Sequence, residues 1–82
     1  MSSTTDDLAQ RSIALYEDRW RSMLEQTHRN LFIAIEPESE SWYPGKTMTD
    51  AILKAREAFP DRLSFVLRIG HPATVDIGVL HA

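Results

Sequence analysis

The sequence predicts an α+β domain in which a long N-terminal helix precedes the order strand, strand, helix, strand, strand. Residues 31–35 are apolar at every position, which is typical of a central strand covered on both faces. Residues 47–59 carry apolar side chains at helical spacing, begin with Thr47 and Asp50 at capping-box spacing, and end before a proline. Apolar side chains alternate through residues 63–69, which indicates a half-buried strand.

Residues 5–28 predict the N-terminal helix, because apolar side chains recur every three or four positions and no glycine or proline interrupts them. The stripe consists of Ile13, Tyr16, Trp20, Met23 and Leu24. Residues 1–5 are mostly small and polar and are expected to be disordered.

A polar turn with Pro37 ends the first strand, since proline cannot donate to a ladder. Trp42 and Tyr43 then form a short aromatic second strand. Pro44 and Gly45 fit a type II turn, in which proline presets φ and glycine supplies a positive φ.

The expected sheet is small and antiparallel, with strand order 2-1-3-4. Its fourth strand is the weakly alternating segment from Val75 to Val79. The helix at residues 47–59 packs on one face, and the N-terminal helix covers the other face or reaches towards a second subunit. The residues expected to be mostly buried are Leu31, Ile33, Ile35, Ile52, Phe59, Phe65 and Leu67.

Length and composition indicate one domain over residues 1–82, with 43% apolar and 26% charged residues. The absence of cysteine excludes disulfides and thiolate chemistry and favours a cytoplasmic location. No signal peptide is recognisable, and the longest apolar run, residues 31–35, is far below the roughly 20 residues of a membrane span. A net charge of −3 without a basic run argues against tight nucleic-acid binding.

No catalytic, cofactor-binding or metal-binding residue is predicted. Glu36, Glu38 and Glu40 alternate in a turn, and a solvated turn is the preferred interpretation over an acid/base pair. Ser64 is interpreted as a strand surface residue. The histidines, which are His28, His71 and His81, lack metal-site spacing. One alternative is a small enzyme that uses His71 with an acidic residue, either Glu36 or Asp76.

The leading functional hypothesis is a protein-interaction module, either a homodimer or the accessory of a neighbouring protein. Tyr16, Trp20 and Met23 are its predicted contact surface, with Trp42 as a further candidate, because aromatic residues and methionine are enriched at interfaces. A helix of this length, about 36 Å, also exceeds strands of about 17–23 Å and is expected to overhang the sheet. A second alternative is weak nucleic-acid binding through Arg56, Arg62 and Arg68.

About half of the chain also carries a recognisable residue pattern. Its residues are Phe32-Ile33-Ala34-Ile35-Glu36, Tyr43, Gly45, Thr47, Ala51, Ala55, Arg56-Glu57, Phe59-Pro60-Asp61, Phe65-Val66 and Arg68-Ile69-Gly70. This pattern resembles a family of short bacterial proteins of unknown function, some encoded beside retropepsin-like aspartyl protease genes. The resemblance implies a small cytoplasmic protein with an accessory or antitoxin-like role, and it transfers no catalytic residue. The chain departs from the pattern at Pro44 and in its long N-terminal helix.

Overall fold

The computed structural model describes residues 4–71 and 78–80. In chain order the elements are helix α1 (Thr4–Leu15), a π-helical segment (Tyr16–Trp20), helix α2 (Arg21–Thr27), strands β1 (Phe32–Glu36) and β2 (Ser41–Gly45), helix α3 (Met48–Ala58), and strands β3 (Ser64–Arg68) and β4 (Gly78–Leu80). The first three follow one another directly and are together called the N-terminal helix. Helix α1 begins at Thr4, one residue before the expected start of the helix at Thr5.

The strands form one antiparallel sheet in the order β2-β1-β3-β4. The expected α+β class, a small antiparallel sheet with a helix packed on it, is confirmed. Strand β4 pairs with β3, whereas Val75 and Ile77 of the expected fourth strand lie outside the described residues. Within the two described ranges, no helix combines the length and apolarity needed to cross a membrane.

Strand β1 is covered on both faces, as its apolar sequence predicts. Ile33 and Ile35 face the N-terminal helix and share a core with Leu8, Tyr16, Leu24, Phe65, Leu67 and Ile69. Ala34 faces the other way, and its cluster contains Ala51, Ile52, Ala55 and Val66. The protein therefore has three layers, with the sheet between two helices. The N-terminal helix packs against its own sheet through this core.

Strand β3 is more buried than its alternation predicts. Its apolar phase, Phe65 and Leu67, is buried as expected, as are Ile33, Ile35 and Ile52, whereas Leu31 and Phe59 are only half-buried. The opposite phase is buried too, with Ser64 5% exposed and Val66 fully enclosed. The interpretation of Ser64 as a surface residue is wrong, because that phase of β3 faces the α3 layer rather than solvent.

The N-terminal helix keeps one stripe against the sheet by changing its pitch. The side chains that face the sheet recur at every fourth residue, which are Leu8, Ser12, Tyr16, Trp20 and Leu24. In a regular α-helix each such step falls about 40° beyond a full turn, so the stripe would drift by about 160° over four steps. The π-helical segment has more residues per turn and removes part of this drift. Met23 lies off this stripe and is 42% exposed.

Two side chains of the stripe bury hydroxyl groups that have no hydrogen-bond partner among the described residues, namely Ser12 and Tyr16. Burial raises the pKa of Tyr16. The nearby Gly70 backbone opposes this shift, but its geometry is too poor for a hydrogen bond to the Tyr16 hydroxyl. An unsatisfied buried polar group costs about 1–3 kcal/mol, so a buried hydroxyl that no other part of the chain satisfies weakens the core locally.

Gly45 allows the end of β2 to lie directly against the first turn of α3. A Cβ here would overlap the backbone nitrogen of Ala51 and lie 2.7 Å from the Cβ of Asp50. Helix α3 begins where the sequence predicts, because the Thr47 hydroxyl accepts a hydrogen bond from the Asp50 N–H at 3.1 Å. The expected type II turn is wrong, since Pro44 and Gly45 belong to β2 and Gly45 has no positive φ. The position requires glycine for space.

Pro44 and Lys54 modify the outer edge of β2. Pro44 lies opposite Ile33 in the ladder and has no N–H. Its carbonyl is directed away from β1 and accepts a hydrogen bond from Nζ of Lys54 at 2.7 Å. The Lys54 side chain therefore links α3 to the edge of the sheet.

We expect Ser12→Ala to raise the free energy of unfolding by about 1 kcal/mol, because it removes an unsatisfied buried hydroxyl and introduces a better helix former. Urea unfolding followed by circular dichroism measures the change. The matched control is Ser22→Ala on the exposed face of the same helix, for which helix propensity alone predicts about 0.5 kcal/mol. A Ser12→Ala protein less stable than the control protein would show that the Ser12 hydroxyl is satisfied in solution.

We expect Gly45→Ala to lower the free energy of unfolding by about 1–3 kcal/mol, because the new methyl group forces β2 away from α3. The same urea experiment measures the loss. Ser41→Ala, at the half-buried start of β2, is the control and is expected to change stability by less than about 0.5 kcal/mol. Similar values for the two variants would contradict the close approach of β2 to α3.

Candidate functional site

A groove lies between the N-terminal helix and the loops at one end of the sheet. It consists of two adjoining depressions of about 250 and about 260 Å³, which share Arg11 and Pro37. The helix wall is formed by Asp7, Leu8, Arg11, Ala14, Leu15 and Asp18. The opposite wall comes from the turn between β1 and β2 and from residues 61–63. Leu8 and Pro37 are buried beneath it and Leu15 and Leu63 are half-buried, so the groove has an apolar floor.

Glu36 anchors the turn wall of the groove from inside the protein. Its side chain is almost fully buried, and its carboxylate accepts hydrogen bonds from the N–H groups of Glu38 and Ser39, each at 2.9 Å. Nη1 of Arg62 donates to the same carboxylate at 2.9 Å, and the guanidinium lies 5.0 Å from the centre of the Phe59 ring. The interpretation of Glu36 as part of a solvated turn is wrong, because the turn folds back onto its carboxylate.

The environment of Glu36 fixes its charge. Burial on its own would raise the pKa of Glu36, but the hydrogen bonds from Ser39, the Glu38 N–H and Arg62 together lower the pKa below its ordinary value. Glu36 is therefore ionised at neutral pH. A general acid working near neutral pH needs the opposite shift, so the arrangement fits a structural anchor better than an acid/base catalyst.

Glu40 ties the far end of the turn to the N-terminal helix. Its φ of 56° lies in the left-handed region, which costs a non-glycine residue about 1–2 kcal/mol. Its carboxylate forms an ion pair with Arg19 of the π-helical segment. With the pair of Glu36 and Arg62 at the other end, both ends of the turn are connected to their surroundings.

Four charged side chains of the groove have no ion pair with another described residue: Asp7, Arg11, Asp18 and Asp61. Sequence reasoning missed all four, because isolated charges on a helix or in a loop are usually solvated. The available signal was the spacing of Asp7, Arg11 and Asp18 by four and seven residues, which places them on one helix face.

The interface residues expected from the sequence do not form one exposed surface. Tyr16 is 3% exposed and belongs to the core, so its assignment to an interface is wrong. Trp20 and Trp42 are half-buried and pack against the same core, whereas Met23 is exposed. The expected apolar overhang fails because the stripe from Leu8 to Leu24 packs against the sheet.

The structure separates the two residues of the alternative enzyme site. Nε2 of His71 lies 3.2 Å from Oδ1 of Asn30, which precedes β1, whereas Glu36 ends that strand. Six residues of strand span about 20 Å. The pairing of His71 with Glu36 is therefore wrong, and Asp76 lies outside the described residues.

The three arginines of the nucleic-acid alternative do not form one patch. Arg62 is engaged by Glu36 and Glu38 before β3 begins. Arg68 ends β3, about 20 Å further along, and lies over the Phe32 ring. Arg56 is exposed on α3.

In the part of the chain that the structure describes, no group of three or more histidine, aspartate or glutamate side chains is placed to hold a metal ion. Nδ1 of His28 lies 2.7 Å from the Thr27 hydroxyl, and the His28 ring meets Trp42 edge-on at 5.5 Å between centroids. His71 is placed by Asn30, and His81 lies outside the described residues.

No family model matches this chain, and neither the curated proteins nor the solved structures contain a match to it. The resemblance drawn from residues 32–72 stays a prediction. The groove and its charges are therefore the basis for the function proposed below.

We expect Glu36→Gln to lower the free energy of unfolding by about 1–3 kcal/mol at pH 7, since hydrogen bonds to a charged group are lost. The pKa of Glu36 is lower in the folded than in the unfolded state, so its contribution is complete above the ordinary value of about 4.3. It is lost as pH falls through the folded-state value. The difference between the two proteins should therefore shrink below about pH 4.

Urea unfolding of both proteins between pH 3 and pH 7 measures this difference. Glu38→Gln is the control, because Glu38 is exposed and its oxygen lies 3.6 Å from Nε of Arg62. Its effect should be at most about 1 kcal/mol. A destabilisation by Glu36→Gln that does not depend on pH would contradict the role of the ionised carboxylate.

Proposed function

We propose that this chain is a cytoplasmic protein-interaction module, the accessory of a partner protein, and that the groove is its contact surface. The observation that carries the proposal is one concave surface that combines an apolar floor with charges that form no ion pair with another described residue. Concave surfaces with an apolar base and a few polar groups are preferred binding sites. The absence of cysteine supports the cytoplasmic location.

In this proposal, the contact surface is carried by the complete fold expected from the sequence, which is a four-strand sheet of order 2-1-3-4 between two helical layers. The antiparallel pairing of Gly78–Leu80 with β3 supports it. The ion pairs of Glu36 with Arg62 and of Glu40 with Arg19 support a turn wall that is in place before a partner arrives. A wall that is already ordered reduces the entropy cost of binding.

The proposed role of the groove is to bind a partner without catalysing a reaction. Glu36, the most buried ionisable group of the groove, is held ionised and is fully engaged by its own turn and by Arg62. A catalytic acid or base needs a shifted pKa and access to substrate. Six carboxylates against three guanidinium groups line the groove, and this balance disfavours nucleic acid as its occupant.

The second candidate is a homodimer through Trp20, Met23 and Trp42. Met23 is 42% exposed, as one of two exposed large apolar side chains among the described residues, and it lies one turn from Trp20. His28, which directly follows that helix end, packs edge-on against Trp42 of β2. A two-fold contact between copies would cover Met23.

Site-specific photo-crosslinking distinguishes these surfaces, because the chain has no cysteine of its own. Ala14→Cys places a benzophenone maleimide in the groove, Met23→Cys places it at the alternative surface, and Leu53→Cys is the control on exposed α3. We expect an adduct with one partner protein from the groove position and none from the control. The adducts are identified by mass spectrometry in extract of the source cell.

Competition with unlabelled protein tests whether the adduct forms through the groove. Excess unlabelled wild-type protein should suppress the adduct, whereas excess protein with Ala14→Trp, which fills the second depression, should not. Equal labelling from the Ala14 and Leu53 positions would contradict the proposal. An adduct of twice the chain mass, formed only from the Met23 position in purified protein, would contradict it in favour of the homodimer.

A further inference from the structure

The two depressions of the groove form a linear arrangement of charge. Asp7 lies at one end on the helix wall, Arg11 lies where the depressions meet, and Asp18 lies at the other end. Asp61 faces the first depression from the opposite wall. None of these four side chains has an ion pair with another described residue.

The remaining charges of the groove all take part in ion pairs within the protein, although three carboxylates share two guanidinium groups and leave one net negative charge. Glu36 and Glu38 are matched by Arg62, and Glu40 is matched by Arg19. The carboxylates of the groove that have no ion pair with another described residue are therefore Asp7 and Asp61 in one depression and Asp18 at the far end of the other. The positive charge of Arg11 separates the two ends.

The spacing of the charges limits the shape of the occupant. Eleven residues separate Asp7 from Asp18, which corresponds to about 16 Å along a helix axis. An extended chain covers that distance in about five residues. Depressions of about 250 and about 260 Å³ have room for one long side chain each.

We propose that the groove binds an extended, cationic segment of a partner protein, in which two lysine or arginine residues about five positions apart flank an apolar residue. This inference rests on the proposed function and specifies the chemistry of the partner. Each cationic side chain enters one depression, and the apolar residue lies between them against Pro37 and Leu15. Arg11 repels a cation at the central position and so selects the spacing.

Three fluorescein-labelled nine-residue peptides test the charge pattern by fluorescence anisotropy with the whole protein. The first has lysine at its second and seventh positions and leucine at its fourth, with alanine and serine elsewhere. The second has its two lysines adjacent at the centre, and the third has glutamate in place of both lysines. We expect the first peptide to bind about tenfold more tightly than the second, because each of its two exposed ion pairs strengthens binding by up to about fivefold. The glutamate peptide should not bind.

Protein variants assign the effect to the groove. Asp7→Asn combined with Asp18→Asn should weaken binding of the first peptide about tenfold. The control combines Glu17→Gln with Glu57→Gln, which changes the net charge equally at exposed positions outside the groove and should leave binding unchanged. Arg11→Gln should reduce the preference for the spaced peptide over the adjacent-lysine peptide.

Equal binding of the three peptides, or equal effects of the two double variants, would overturn the inference. Failure here is distinguishable from failure of the proposed function. A specific adduct from the Ala14 position with no charge-dependent peptide binding leaves the groove as the contact surface and removes only the cationic segment. Binding of the first peptide that disappears with Asp7→Asn and Asp18→Asn supports both.

Discussion

The burial of both faces of β1 is the constraint on which the rest of this structure depends. A strand that is apolar at every position has to be covered twice, so a chain of 82 residues is divided into a sheet and two helical layers. On one side α3 approaches closely because Ala51 and Ala55 are its contact residues. On the other side the longer N-terminal helix spreads its contacts over the larger core.

Elements with local signals were predictable from the sequence. Helix α3 has a threonine cap and a proline after its end, and the alternation in β3 gives the correct phase for Phe65 and Leu67. The predictions that failed have one cause in common. Each of them depends on which other element packs against the residue, and the local sequence does not show this. The alternation of β3 does not show that α3 covers Ser64. The apolar stripe of the N-terminal helix, if it is assumed to follow α-helical pitch, does not show that Tyr16 faces the sheet.

The candidate site was much less predictable than the fold, since it is assembled from distant segments. Glu36 and Arg62 are 26 positions apart, and nothing near either residue in sequence indicates that they meet. The alternating glutamates after β1 were visible, but only the folded turn shows that Glu36 is buried while Glu38 and Glu40 remain exposed. The spacing of Asp7, Arg11 and Asp18 places these residues on one face of the helix. This face becomes a wall of a groove only because the turn between β1 and β2 lies opposite it.

The contact between Lys54 and Pro44 has a consequence for how copies of this protein can meet. A sheet grows by adding a strand whose N–H and C=O groups find free partners at the edge. In β2, Pro44 has no N–H to donate, and its carbonyl oxygen already accepts a hydrogen bond from the charged amine of Lys54 in α3. An incoming strand would have to remove that amine and would still leave a gap in the new ladder. The β2 side of the sheet is thus protected against fibril-like growth, and an association on that side has to use side chains instead of backbone.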